Sequence, residues 1–257
     1  MVTNKYAAPH RPGRQPGDSL AVPGFPGNAV TGVCMLVAPI ALAILCLLGI
    51  GIYKYDGHDF LAAMAAHRVR AEIFLNFVPL AVIMLMLAAL GLAGLATRTT
   101  PRLARLGGVC ALLGLCGPIF FLGIEFAGYQ VSSPRYLAAG AYMYDQANMV
   151  PRVSINISGL ALIVGFISLA IAAYRAGLLD RVRAVCFGLA ALLPVGFISA
   201  VLVVSAIGFA ACAVALVPLG LAVLRGAPVA AESRPSEAAS DAVPGAAPDA
   251  APGLASR

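Results

Sequence analysis

Four residues interrupt otherwise apolar stretches of this 257-residue chain with groups able to move a proton or hold a polar ligand: Glu72, Asn76, Glu125 and Asn156. Two carboxyl groups suffice for paired acid–base work, one donating a proton while the other stays ionised or steadies a developing positive charge. Glu125 has Phe120, Phe121 and Phe126 around it. Desolvation disfavours the charged form of a carboxyl group, so an acid among phenylalanines is a candidate proton donor. The competing reading is an interfacial carboxylate that reaches water or pairs with Arg70, Arg135 or Arg152. Glu72 follows Arg68 and Arg70 and reads either as the second carboxylate or as an interfacial anchor. Asn76 stands one turn after Glu72 on the same helical face. It and Asn156 suit hydrogen bonding to a bound molecule or between helices. Phe121, Phe126, Tyr129 and Tyr144 supply aromatic faces for a substrate cage, or else part of an aromatic belt at the membrane surface.

Other chemistries find little support. His58 and His67 are nine apart, which gives no shared metal-ligating face. The six cysteines all fall in apolar runs without CxxC spacing and read as buried free thiols, so neither a metal nor a cofactor is expected. HExxH, GxSxG and Walker sequences do not occur. The 17 Lys+Arg against 11 Asp+Glu give a formal charge of +6, but the cations form no block and do not interleave with aromatics. Nucleic acid is therefore set aside as a partner. Membrane lipid, and a hydrophobic small molecule, are the partners the composition favours.

The elements that position these residues follow from composition. Of the chain, 61% is hydrophobic and only 11% charged, against about 25% charged in a soluble domain. That points to an all-α, polytopic bundle in the cell membrane. A crossing needs about 20 helical residues, which places spans near 29–52, 73–96, 107–128, 153–174, 184–203 and 207–225. Residues 184–225 would extend about 63 Å as one helix, so they are expected to fold back near Ser205–Gly208. Residues 1–28 read as a flexible arm and 226–257 as a disordered Ala/Pro-rich tail.

Six crossings put both termini on one side. Lys5, Arg11, Arg14, Arg98, Arg102, Arg105, Arg175, Arg181, Arg183 and Arg225 then face one way, and Lys54, Arg68, Arg70, Arg135 and Arg152 the other. The positive-inside rule makes the richer side, with both termini, cytoplasmic. All four polar residues fall in a single layer near the outer surface. Above it, Phe60–Val69 reads as an interfacial helix. A second short helix is expected to start at Ser133 and Pro134 and to be stopped by Pro151. The cytoplasmic half of the spans carries no Asp, Glu, Lys or His, which disfavours an ion path.

The segment Phe60-Leu-Ala-Ala-Met-Ala-Ala-His67, the turn Pro101-Arg-Leu-Ala-Arg-Leu-Gly-Gly108 and Glu125 late in the next span together resemble a broad group of uncharacterised actinobacterial integral membrane proteins. That resemblance covers about a third of the chain and implies a compact helical bundle, with no activity attached. More weakly, the chain resembles the small membrane-bound terpene cyclases, which are similar in size, wholly helical and use membrane-embedded acids beside aromatics. This second resemblance implies Glu125 as the acid, Glu72 as the second carboxylate, and Phe121, Phe126, Tyr129 and Tyr144 as a carbocation cage. No motif of that family aligns residue by residue, and the chain has no tryptophan.

Three classes of function follow. One is a membrane enzyme acting on a prenyl or other lipid-like substrate. The second is a non-catalytic accessory or assembly protein. The third is a carrier of a hydrophobic molecule.

Overall fold

In the first long helix, α1 (Gly27–Gly49), Val30, Val33, Val37, Ile40, Ile44 and Leu47 face outward and are exposed. Cys34, Met35, Ala38, Leu42 and Cys46 face inward and are buried. A helix apolar on both faces belongs where one face meets protein and the other lipid. Its inward residues are mostly small, which lets neighbouring helices approach closely. The structure, a computed structural model, describes residues 26–226 except Tyr55, Pro134, Asn148 and Ala200. The proposed arm and tail, with Lys5, Arg11 and Arg14, lie outside the described residues.

After α1 come α2 (Gly57–Ala66), α3 (Arg68–Ala96), α4 (Pro101–Val131), α5 (Leu137–Ala147) and α6 (Met149–Arg175). Then follow α7 (Arg181–Leu189), a 3-10 turn (Ala190–Leu192), α8 (Leu193–Ile198) and α9 (Leu202–Leu224). All these elements are helical. Five helices are long and apolar enough to cross a membrane: α1, α3, α4, α6 from Asn156 onward, and α9. The chain is a multi-pass membrane protein.

The helices pack as a ring in chain order. α1 lies against α3, α3 against α4, α4 against α6, α6 against α7 and α8, and these against α9, which closes back onto α1. The closing contact is tight at the end that holds the chain's described limits, where a Cβ on Gly32 would fall 2.5 Å from Leu224 Cγ and 3.0 Å from the Gly220 carbonyl. Both described limits therefore sit at the same end. The two short helices α2 and α5 pack on each other across the opposite end.

Several expectations require correction. The stretch 184–203 is not one of the five long apolar helices, because the helix is broken. Pro194 has no N–H to offer the Ala190 carbonyl, so Leu193 N–H takes it and the turn tightens to 3-10 geometry. The fold-back comes between α8 and α9 and not at Ser205–Gly208. Ser199 N–H and Oγ both donate to the Val195 carbonyl, at 3.0 and 2.6 Å, and Val201 N–H donates to Gly196 O at 2.8 Å. Ser205 is buried inside α9, where its hydroxyl donates to Leu193 O at 3.0 Å and ties the two arms of the hairpin.

Pro151 begins a helix where it was expected to end one. It falls in the first turn of α6, where a missing N–H costs nothing. Pro134 lies outside the described residues, and α5 starts three residues after it. α2 starts earlier than Phe60, at an Asp56 cap whose side chain accepts from His58 and Asp59 N–H. Its Phe60, Leu61 and Met64 are buried against the bundle, which makes it a cover more than an interfacial helix.

Candidate functional site

The site begins with a turn. After α1 the chain reverses at Gly51, whose φ of 85° lies in the left-handed region that glycine occupies without steric cost. Ile52 and Tyr53 N–H both donate to Gly49 O, at 3.0 and 3.1 Å. This reversal carries Tyr53 inward. Its hydroxyl donates to Glu125 Oε1 at 2.5 Å. Its ring packs edge-on to Phe60 and Phe197, with centroids 5.5 and 6.2 Å away, and lies 6.4 Å from Phe74. Phe60 in turn stacks at 5.2 Å on Tyr144 of α5. One phenol thus joins α2, α3, α4 and α8. Burial, and secondarily the Glu125 carboxylate, hold that phenol well above its ordinary pKa, so it remains a donor.

Glu125 is 1% exposed and is the one buried charged side chain among the described residues. It faces a cavity of about 220 Å³ at the centre of the ring, several times the ~30 Å³ share of one water molecule. The walls are mainly apolar. Leu42 comes from α1, Phe74 and Val78 from α3, Pro118, Phe121 and Leu122 from α4, Leu162 from α6, Pro194 and Phe197 from α8, and Phe209 from α9. Tyr53, Tyr144, Asn156, Ser158 and Lys54 add the polar groups besides Glu125. Two lining residues, Lys54 and Asn156, are exposed, and they mark where the cavity opens. A mainly apolar pocket with a few convergent polar groups is the usual form of a small-molecule site.

The layer expected from the sequence divides into two places. Glu125, Phe121, Tyr144 and Asn156 meet around the cavity. Glu72, Asn76, Tyr129 and Phe126 do not line it. Tyr129 donates to Glu72 and accepts from Arg68 Nε at 2.9 Å, and the Arg68 guanidinium lies 5.4 Å from the Tyr129 ring centroid. The Glu72 side chain is half exposed and 3.5 Å from Arg68 Nε, so this trio clasps the ends of α3 and α4 at the surface of the molecule. Asn76 is exposed and donates to the carbonyl of Glu72 in its own helix, at 2.8 Å, and not to another helix. Phe126 is half-buried against the core, and Phe120, at 78% exposure, turns away from Glu125 altogether.

The arginines suggested as partners for Glu125 are placed elsewhere. Arg70 donates to the Leu48 and Ile50 carbonyls, at 2.6 and 2.9 Å, and so caps α1. Arg135 lies over the Tyr136 ring at 5.5 Å. The Arg152 side chain lies outside the described part of the structure. The sequence reading missed Tyr53, Phe74 and Phe197 as site residues. The signal for Tyr53 was the pair Gly49 and Gly51 just before it, which marks a reversal at the end of a span.

Comparison with known proteins yields no matching family model, no matching curated protein and no matching solved structure.

Proposed function

We propose that this protein is a membrane-embedded enzyme that starts an isomerisation of a prenyl or other lipid-like substrate by protonating it from Glu125, in the manner of an acid-initiated terpene cyclase. One observation carries the reading: a carboxyl group, oriented by Tyr53, is buried in an aromatic-walled cavity inside a helical ring. Tyr53 occupies Oε1 and leaves Oε2 as the oxygen that delivers the proton. Proton transfer to an alkene carbon leaves a carbocation; transfer to an epoxide oxygen opens its C–O bond with the same result. The ring faces of Phe74, Phe197 and Tyr144 are the groups to stabilise that cation. Loss of a proton from a neighbouring carbon to the Glu125 carboxylate regenerates the acid, so no cofactor or co-reactant enters the balance.

The broken segment 181–198 is the sixth crossing in this reading, about 27 Å long at helical rise. Arg98, Arg102, Arg105, Arg175, Arg181, Arg183 and Arg225 lie at the end shared by the chain's described limits, and Lys54, Arg68, Arg70, Arg135 and Arg152 at the other. That end is therefore cytoplasmic, the membrane is the plasma membrane, and the cavity opens toward the outer leaflet. A non-catalytic accessory role would use the Tyr53–Glu125 bond only as a tie between the cover and the bundle.

The deciding experiment gives purified native chain and Glu125→Gln, both in lipid nanodiscs, a panel of polyprenyl alkenes and epoxides, with products read by mass spectrometry. Product from the native chain and none from a folded, monodisperse Glu125→Gln is expected. Equal product from both would overturn the acid role, and no product from either would favour the accessory reading.

A further inference from the structure

The cavity has a second charged lining residue, and protonation by Glu125 gives it no task. Lys54 follows Tyr53 directly, is exposed and lines the cavity. Among the described residues it forms no ion pair and no side-chain hydrogen bond. The other cations described at this end are engaged: Arg70 with the Leu48 and Ile50 carbonyls, Arg68 with Tyr129 and Glu72, and Arg135 with the Tyr136 ring. An ammonium group offers three donors and, where protein supplies no acceptor, gives them to water or to an anion. Here Lys54 is an exposed lining residue of a cavity whose walls are mainly apolar. Glu125 does not compete for it, because Glu125 is buried and held by Tyr53.

We infer that the cavity takes an amphiphile with an apolar tail and an anionic head, a carboxylate or a phosphate monoester, and that Lys54 binds the head while the tail runs inward past Tyr53. This rests on the cavity being the ligand site, as proposed above, and adds the class of head group and the direction of binding. The head stays at the opening and a carbon of the tail reaches Glu125. A charge-assisted contact at the rim then selects among molecules whose tails bind equally well.

The test uses the full chain in nanodiscs of neutral lipid with radiolabelled hexadecanol as the reference probe, displaced by palmitate, hexadecyl phosphate or unlabelled hexadecanol. In the native chain at least one of the two anionic amphiphiles competes about tenfold better than hexadecanol, and the better of the two identifies the head group. Lys54→Gln abolishes that preference and leaves hexadecanol binding unchanged; Lys54→Arg keeps it. Acetate and inorganic phosphate, heads without tails, do not displace the probe at millimolar concentration. Equal competition by all three amphiphiles in the native chain, or equal weakening of all three by Lys54→Gln, would overturn the role of Lys54. Val78→Trp, which fills the cavity from α3, separates this from the larger reading. If hexadecanol binding falls in Val78→Trp, the cavity holds the tail whatever Lys54 does; if it does not fall, the ligand sits elsewhere and both readings fail together.

Discussion

The half of the ring near the chain's described limits and the half beneath α2 and α5 use the same helices but different residues. In the first, glycine decides the spacing. Thr31 lies against Gly91, Gly32 against Gly220, and Gly107 against Leu169, so close that a Cβ on any of these glycines would collide with a neighbour. Gly165 meets the backbone of Ala111 in the same way. In the second half, aromatics face inward from α3, α4, α8 and α9, and α4 and α8 carry Pro118 and Pro194. Glycine contacts as close occur in this half too, at Gly114 with Leu162, Gly117 with Ser158 and Gly196 with Ser205, so it is the inward rings that leave space between the helices facing across it. The contrast lies in what faces inward: small residues in close contact at one end, and aromatic side chains around a chamber at the other.

The contrast breaks first at the seam. Gly165→Leu puts a branched side chain into the Ala111 backbone, and overpacking of that kind costs about 3 kcal/mol. Folded yield and thermal unfolding in detergent should show most of the protein lost, whereas a comparable enlargement in the hollow half, such as Val78→Trp, should leave a folded chain. Gly51→Ala comes next. It imposes a left-handed conformation on an L-residue, for about 1–2 kcal/mol, and it displaces Tyr53. Thermal unfolding should fall by a few degrees, and the proton transfer proposed for Glu125 should be lost almost completely.

Tyr53→Phe keeps the ring and removes the donor, and should cost about 1 kcal/mol. Because the folded-state pKa of Tyr53 lies above the unfolded one, the neutral phenol stabilises the fold below about pH 10 and that contribution is lost as pH rises further. The gap in melting temperature between native chain and Tyr53→Phe should therefore be constant at neutral pH and close at strongly alkaline pH. Arg68→Gln is the smallest change. Its pair with Glu72 is open to solvent, and such pairs contribute little. Melting temperature and turnover should both be unaltered, which would separate the outer clasp from the chamber.

How much of this was legible in the sequence depended on the kind of signal. Apolar runs longer than a bilayer is thick located α1, α3, α4, α6 and α9 to within about six residues at each end, because the cost of exposing a polar backbone to lipid leaves few alternatives. Glu125 stood out for the same reason. The split of the polar layer was not legible. Glu125 and Tyr129 are one turn apart on α4 and share a face by helical periodicity, yet a phenol is long enough for its hydroxyl to leave the core and meet Glu72 at the surface. Tyr53 was hidden by the assumption that a loop residue stays in the loop, when a single left-handed glycine is enough to send it back inside. The break at Pro194 was not legible as the end of a helix, since a proline within a span marks a kink and the apolar pattern around it is continuous.

The order of the ring has a consequence for how the protein is made. Each of α3, α4 and α6 touches the long helix before it, and α9 touches α7 and α8, so successive hairpins can form from local contacts as they enter the bilayer. The exception is the contact between α1 and α9, which joins the first helix to the last. Until α9 docks, Phe209 is missing from the wall and the chamber stands open on one side to lipid. The chamber is thus the last thing this chain assembles, and a copy that stalls before its final helix is a membrane protein without one.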